Sequence, residues 1–431
     1  MKNLVISLLA LFFLISCTKD DEVLEIPHDT DSITVLSYLI ASDNGLNRDL
    51  FLNIVTMYYG LASMDKPATL LIYWDGDTRI AGKTHLILKY ETDGRGNING
   101  RRALDIDADV SDILDEAQVV KDYDSQICTD KEVMKKVLYD MKAYAPTDKL
   151  GLIVGSHGSS WLNSINTTGR AIGFDDEQVN SIQLSDMVEV LQSLGNKFEF
   201  ILFDACFMGS IEVCYEFYPV ADYLITSVME VPAEGFPYDM FMNDLCKGNV
   251  EGYKKVCEAF IDYYQKKDDK YKRGEKGGES CWGTVSLIDC KEIPLLTEII
   301  KEELVTHKEK LSLYDETVLQ EYGRAGGYGI AYDLEHFIKD LNGNIIPESF
   351  KTQLKKTVLY TNALYEASYS REKKNKNGEY EYHKYDVDAS NYCGLGLYIP
   401  IKEYPMWNTF FKTIDWYKAS GWSEVIFSWN F

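Results

Sequence analysis

Two side chains in this 431-residue sequence can together do chemistry that neither does alone: the imidazole of His157 and the thiol of Cys206, 49 positions further on. A thiolate attacks a carbonyl far better than a thiol does, and a nearby imidazole can take the thiol proton and hand it to a leaving group. The pair therefore suits acyl transfer through a covalent intermediate. Each residue follows a short apolar run. Leu150 to Val154 leads into Gly155-Ser156-His157-Gly158, and Phe198 to Phe203 leads into Asp204-Ala205-Cys206. Runs of that length suit buried strands better than helices. In an open parallel sheet the carboxyl ends of the strands border the ligand crevice, so both groups are expected on one rim. A histidine behind a strand is often structural and a buried cysteine often inert. It is their joint placement that favours catalysis.

The two strings resemble the caspase-like cysteine peptidases, in which the histidine precedes the nucleophile by roughly 50 residues. Within that group they look most like the clostripain-like peptidases of bacteria. Further strings carry the resemblance almost to the C-terminus: YLIASDNGL at Tyr38 to Leu46, Trp161 after the histidine, RAIGFDD at Arg170 to Asp176, the spacing of Pro232, Gly235 and Tyr238, TVSLID at Thr284 to Asp289, and GLGLYIP at Gly394 to Pro400. The resemblance implies a caspase-like three-layer α/β sandwich, with a mainly parallel central sheet flanked by helices. It also implies endopeptidase activity with Cys206 as nucleophile, His157 as acid and base, and the backbone N–H groups of Gly158 and Cys206 as oxyanion donors. No third member of a triad is evident. Asp204 is the acid that, in such peptidases, lies in the pocket for an arginine or lysine side chain, where a carboxylate pairs bidentately with guanidinium. Capping of a following helix is its plainer role. Glu230 and Glu234 are candidates for a second pocket acid, and lysine or mixed preference stays open. Arg170-Ala171 occupies the place where such enzymes are cut internally to become active; an ordinary surface arginine is the alternative. Calcium is admitted by the resemblance, but the acidic Asp175-Asp176-Glu177 patch is too generic to place it.

The elements that must position these groups are readable in outline. Strands are expected at Ile33 to Ala41, Thr69 to Trp74, Thr84 to Tyr90 and Ala221 to Val228. Helices are expected at about Asn47 to Tyr59, Lys131 to Tyr144 with Pro146 ending it, and Ile182 to Leu194. Helical periodicity from Phe207 to Phe217 puts Cys206 near a helix N-terminus. Asp43, in Ser42-Asp43-Asn44-Gly45, reads as turn chemistry more readily than as an active-site group. Ser159 to Thr168 has the character of an exposed loop. Strand and helix alternate, as in a parallel sheet covered on both faces. The charged stretch Lys266 to Glu279 is the expected boundary between a catalytic domain at 32–270 and a C-terminal α+β subdomain at 271–431.

A formal net charge of -24 argues against nucleic acid as a partner and is compatible with basic substrates or with simple solubility. Residues 1–16 read as a signal segment. Lys2 is followed by an apolar core from Leu4 to Ile15, and Leu14-Ile15-Ser16-Cys17 resembles a lipobox, with Cys17 as the lipidated residue. Residues 17–31 read as an acidic tether, and its Thr18-Lys19-Asp20-Asp21-Glu22 resembles a lipoprotein surface-export signal. The expected location is the outer membrane and cell surface. Of nine cysteines, those other than Cys17 and Cys206 lack the close spacing of a zinc site and read as small buried residues. The rival to an enzyme is a non-enzymatic surface lipoprotein that holds glycan or protein on Trp407, Trp416, Trp422 and Trp429. Packing of a C-terminal core explains those aromatics more simply.

Overall fold

A computed structural model describes residues 33–41, 45–76, 78, 82–106, 108–162, 172–175, 180–311, 313–322, 331–365, 370–374, 380–384, 387–400 and 405–425. Its centre is an eleven-stranded sheet. The main strands are β1 (Thr34–Ala41), β2 (Pro67–Gly76), β3 (Leu86–Asp93), β4 (Gln118–Asp122), β5 (Leu150–Gly155), β6 (Phe198–Asp204), β7 (Ala221–Thr226), β8 (Thr284–Asp289) and β9 (Val358–Ala363). Their spatial order is β9-β8-β7-β6-β5-β1-β2-β3, with β4 also pairing to β3 and two short strands beyond it. The five central strands, β7 to β2, are mutually parallel, and β3, β8 and β9 add antiparallel flanks.

Alternation along the strands sends side chains into two separate cores. In β1, Leu36, Tyr38 and Ile40 face one core, while Val35, Leu39 and Ala41 face the other. Helices α1 (Asn47–Ala62) and α5 (Val250–Lys272) cover the second face through Ile54, Met57, Val256, Phe260 and Tyr264. Helices α2 (Lys131–Tyr144), α3 (Leu184–Ser193), α4 (Ile211–Phe217) and α6 (Ile293–Thr306) cover the first. Layers of helix, sheet and helix result, which is the three-layer α/β sandwich expected.

The local signals explain several boundaries. Asp130 caps α2 by accepting from the N–H groups of Glu132 and Val133, and the helix closes just before Pro146. Three expectations need correction. The Lys266–Glu279 stretch is not a linker at its start: α5 runs to Lys272, because Phe260, Ile261 and Tyr264 supply a buried stripe that carries the charged positions along. Strands β8 and β9, from beyond residue 270, complete the same sheet, so the sheet does not stop at the expected domain boundary. Trp161, placed by composition in an exposed loop, is buried and packs on the rings of Tyr398 and Phe411 at 4.8 and 5.1 Å.

The C-terminal aromatics build a core. Trp416 and Trp422 are fully buried, and Trp407 is nearly so. None of the three offers a ring face for sugar; Trp429 lies outside the described residues. The eight cysteines among the described residues form no disulfide, and all but Cys206 are buried.

Candidate active site

Parallel neighbours β5 and β6 end side by side, with Gly155 opposite Asp204, so the segments that follow them leave the sheet at one edge. The Ser156 N–H donates to the Asp204 carbonyl at 3.2 Å and keeps the two exits together for one residue more. Beyond that point His157 and Cys206 line one cleft of about 390 Å³, together with Asn53, Ser156, Asp204, Glu230, Val231 and Trp282 among others. Gly158 lies directly on the backbone of Cys206. A Cβ there would stand 2.4 Å from the Cys206 carbonyl oxygen and 3.1 Å from its nitrogen, so no residue with a side chain fits.

The chain after Cys206 differs from the expected helix. It makes a turn with Phe207 at φ +61°, and α4 begins four residues later, at Ile211, capped by the Ser210 hydroxyl. Tertiary contacts hold this turn. The Phe207 N–H donates to the Met229 carbonyl at 2.9 Å, the Gly209 N–H to the Ser227 carbonyl at 2.7 Å, and the Gly396 N–H to the Gly209 carbonyl at 3.0 Å. Cys206 therefore sits on a pinned turn and is not the first residue of a helix. Its thiol is half-buried and approaches the Val231 carbonyl at 3.8 Å. The histidine loop is tied to the same turn, since the Ser160 and Ser210 hydroxyls lie 2.9 Å apart.

Asp204 forms a buried floor beside the thiol. Its Oδ2 accepts from the Tyr238 hydroxyl at 2.8 Å, the Phe236 N–H at 3.1 Å and Asn53 Nδ2 at 3.4 Å. Burial pushes its pKa up to about 6, with the Phe236 N–H and the Tyr238 hydroxyl pulling the other way. Burial and the neighbouring carboxylate push the Tyr238 hydroxyl well up, so it stays a donor. Gly235 takes φ +69°, and a Cβ on it would come within 2.3 Å of Asp204 Oδ2; the loop can close over the carboxylate only with glycine there.

Of the other expected pocket acids, Glu230 lines the cleft, and its carbonyl accepts from Trp282 Nε1 at 3.0 Å. Glu234 does not line it. Its carboxylate is turned to α5, where Lys267 Nζ and the Tyr263 hydroxyl reach Oε2 at 2.6 and 3.0 Å; a nearby ammonium outcompetes an open pocket for the charge. Cys17, Asp43, Arg170, Ala171, Asp176 and Glu177 lie outside the described residues. Among the described residues no group of three or more His, Cys, Asp or Glu side chains is arranged to hold a metal ion.

Asn53 and Trp282 were not evident from sequence. Asn53 is buried in α1 between the core residues Leu50 and Ile54, and its Oδ1 has no hydrogen-bond partner among the described residues. The available signal was an amide inside an apolar stripe. Trp282 had none, because its place on the rim depends on β8 joining the sheet.

A half-buried thiol and an imidazole share the mouth of a cleft at the carboxyl ends of parallel strands, on a helix–sheet–helix sandwich. That is the arrangement expected of a cysteine peptidase of caspase-like architecture. The chain belongs to the clostripain family, whose sequence model matches residues 37–429. Clostripain of Hathewaya histolytica is 33% identical over 130 residues, which are 28% of this chain and 25% of clostripain, so the match spans a quarter of that protein's length. Two solved structures share the fold. A secreted C11 cysteine protease from Bacteroides thetaiotaomicron, in complex with an irreversible peptide inhibitor, superposes with a TM-score of 0.71 at 24% identity, over 91% of this chain and 99% of that one. An inactive zymogen C11 protease from Parabacteroides distasonis gives 0.67 at 24% identity, over 92% and 99%.

Proposed function

We propose that this protein is an exported, lipid-anchored cysteine endopeptidase that cleaves after basic residues, with arginine preferred to lysine. The observation that carries this reading is the convergence of His157, Cys206 and the buried Asp204 on one cleft. The Cys206 thiolate attacks the scissile carbonyl carbon, and the resulting oxyanion accepts from the N–H groups of Gly158 and Cys206, each such donor being worth ~3 kcal/mol in the transition state. Collapse breaks the C–N bond; protonated His157 gives its proton to the departing amine and leaves a thioester. Water, losing a proton to His157, then hydrolyses the thioester and restores the thiol.

Side-chain preference rests on acceptors. A guanidinium brings five N–H donors, and three residues with acceptor oxygens, Asp204, Asn53 and Glu230, line the cleft. A lysine ammonium satisfies fewer of them. The formal charge of -24 would draw basic peptides toward the protein from solution.

A positional peptide-library digest tests activity and preference together. Cleavage after arginine by the native protein, absent in Cys206→Ala, is the expected result; equal turnover by the alanine variant would end the assignment. Two companion readings concern residues outside the described ones. Self-activation by cleavage between Arg170 and Ala171 predicts a cut on gels that either Arg170→Ala or Cys206→Ala prevents. Lipidation of Cys17 predicts that Cys17→Ser moves the protein from the membrane fraction to the soluble one, and retention there would refute it.

A further inference from the structure

The loop from Glu230 to Tyr238 forms one wall of the cleft and also aims its acid, since Phe236 and Tyr238 supply two of the three donors to Asp204 Oδ2. The third donor, Asn53 Nδ2, also reaches the Glu234 carbonyl at 3.3 Å. What holds the loop lies on its far side. Lys267, on α5, sets its ammonium 2.6 Å from Glu234 Oε2 and 2.9 Å from Glu279 Oε2. It also lies over the Tyr263 ring at 5.5 Å, and Tyr263 donates to that same Glu234 oxygen. Glu279 begins the segment that brings Trp282 to the rim, where its indole holds the Glu230 carbonyl. One ammonium thus ties the middle of the loop, at Glu234, and the segment leading to Trp282 to a long helix.

The geometry points to Lys267 as a positioning residue for the substrate pocket: by clamping Glu234 and Glu279 it fixes the loop whose Phe236 N–H and Tyr238 hydroxyl orient Asp204. It touches no substrate. The clamp deepens the reading of the cleft as a pocket for a basic side chain and rests on it. Lys267 is 18% exposed and its partners Glu234 and Glu279 are 43% and 65% exposed, so the network rests on three groups sharing one ammonium and not on burial.

The test is steady-state kinetics on the full chain, with a peptide carrying whichever residue the native enzyme prefers before the cut. Lys267→Met keeps the aliphatic stem and removes the charge. The expected result is a KM raised about three- to tenfold with kcat within about twofold and the thermal midpoint little changed. Glu234→Gln should act in the same direction from the other side of the pair, and the double variant should be no worse than the worse single one. An unchanged KM in Lys267→Met overturns the proposal, as does a loss confined to kcat or one that follows the thermal midpoint alone. If the native enzyme prefers a residue that is not basic, the reading of Asp204 fails, while KM on the preferred peptide still decides the clamp.

Discussion

The ionisation of Asp204 offers a quantitative check on the pocket. The group is buried with one carboxylate oxygen engaged by three donors, and its pKa stands at about 6, against an ordinary value near 3.9. A cationic side chain needs the ionised form. At pH 5 about one carboxyl in ten is ionised, so the dissociation constant for a peptide ending in arginine should be about tenfold weaker than at pH 7.5. The suitable assay is calorimetric titration of that peptide into Cys206→Ala, which removes thiol chemistry from the pH profile. Asp204→Asn should flatten the profile and weaken binding at pH 7.5 by about 1.5–3 kcal/mol, roughly ten- to a hundredfold, the worth of a hydrogen bond to a charged group. The native fold should respond in the opposite sense. A carboxyl with a raised folded pKa contributes stability that is full below its unfolded pKa and is lost as pH rises through about 6. Arginine-peptide affinity that is constant from pH 5 to 7.5, with Asp204→Asn binding as tightly as the parent, would refute the assignment of this carboxylate to the substrate.

Two further predictions concern the surroundings of the site. Gly158→Ala should abolish turnover, because its methyl group would stand 2.4 Å from the Cys206 carbonyl; turnover near the native rate would show that the histidine loop is not held against the nucleophile. Glu212, fully buried beneath the turn that follows Cys206, accepts from the Tyr398 N–H at 2.7 Å, and burial pushes its pKa up to about 7. Its contribution to stability is present below about pH 4.5 and lost as pH rises through 7, so the thermal midpoint should fall between pH 5 and 8. Glu212→Gln, which retains an acceptor for Tyr398, should flatten part of that fall; a slope identical to the parent's would exclude this group.

The elements, and the residue types that stand at their ends, follow from local patterns along the chain. Apolar runs of five or six residues made β5 and β6 legible, Asp130 and Pro146 bracketed α2, and the strings around His157 and Cys206 nominated the pair proposed to react. Such features are local: periodicity, capping and a residue's place after a strand depend on near neighbours in the chain. What those residues meet depends on contacts between segments far apart in the chain. The helix foreseen after Cys206 starts late because Gly209 and Phe207 bond to Ser227 and Met229, whose positions depend on β7 lying beside β6. Glu234 leaves the pocket because Lys267, 33 residues later, comes round on α5 to meet it. Asn53 becomes part of the floor because α1 packs over the carboxyl ends of strands that follow it by more than a hundred residues. Contacts between distant segments carry no periodic trace, so pocket acids could be nominated from the sequence but their orientations could not.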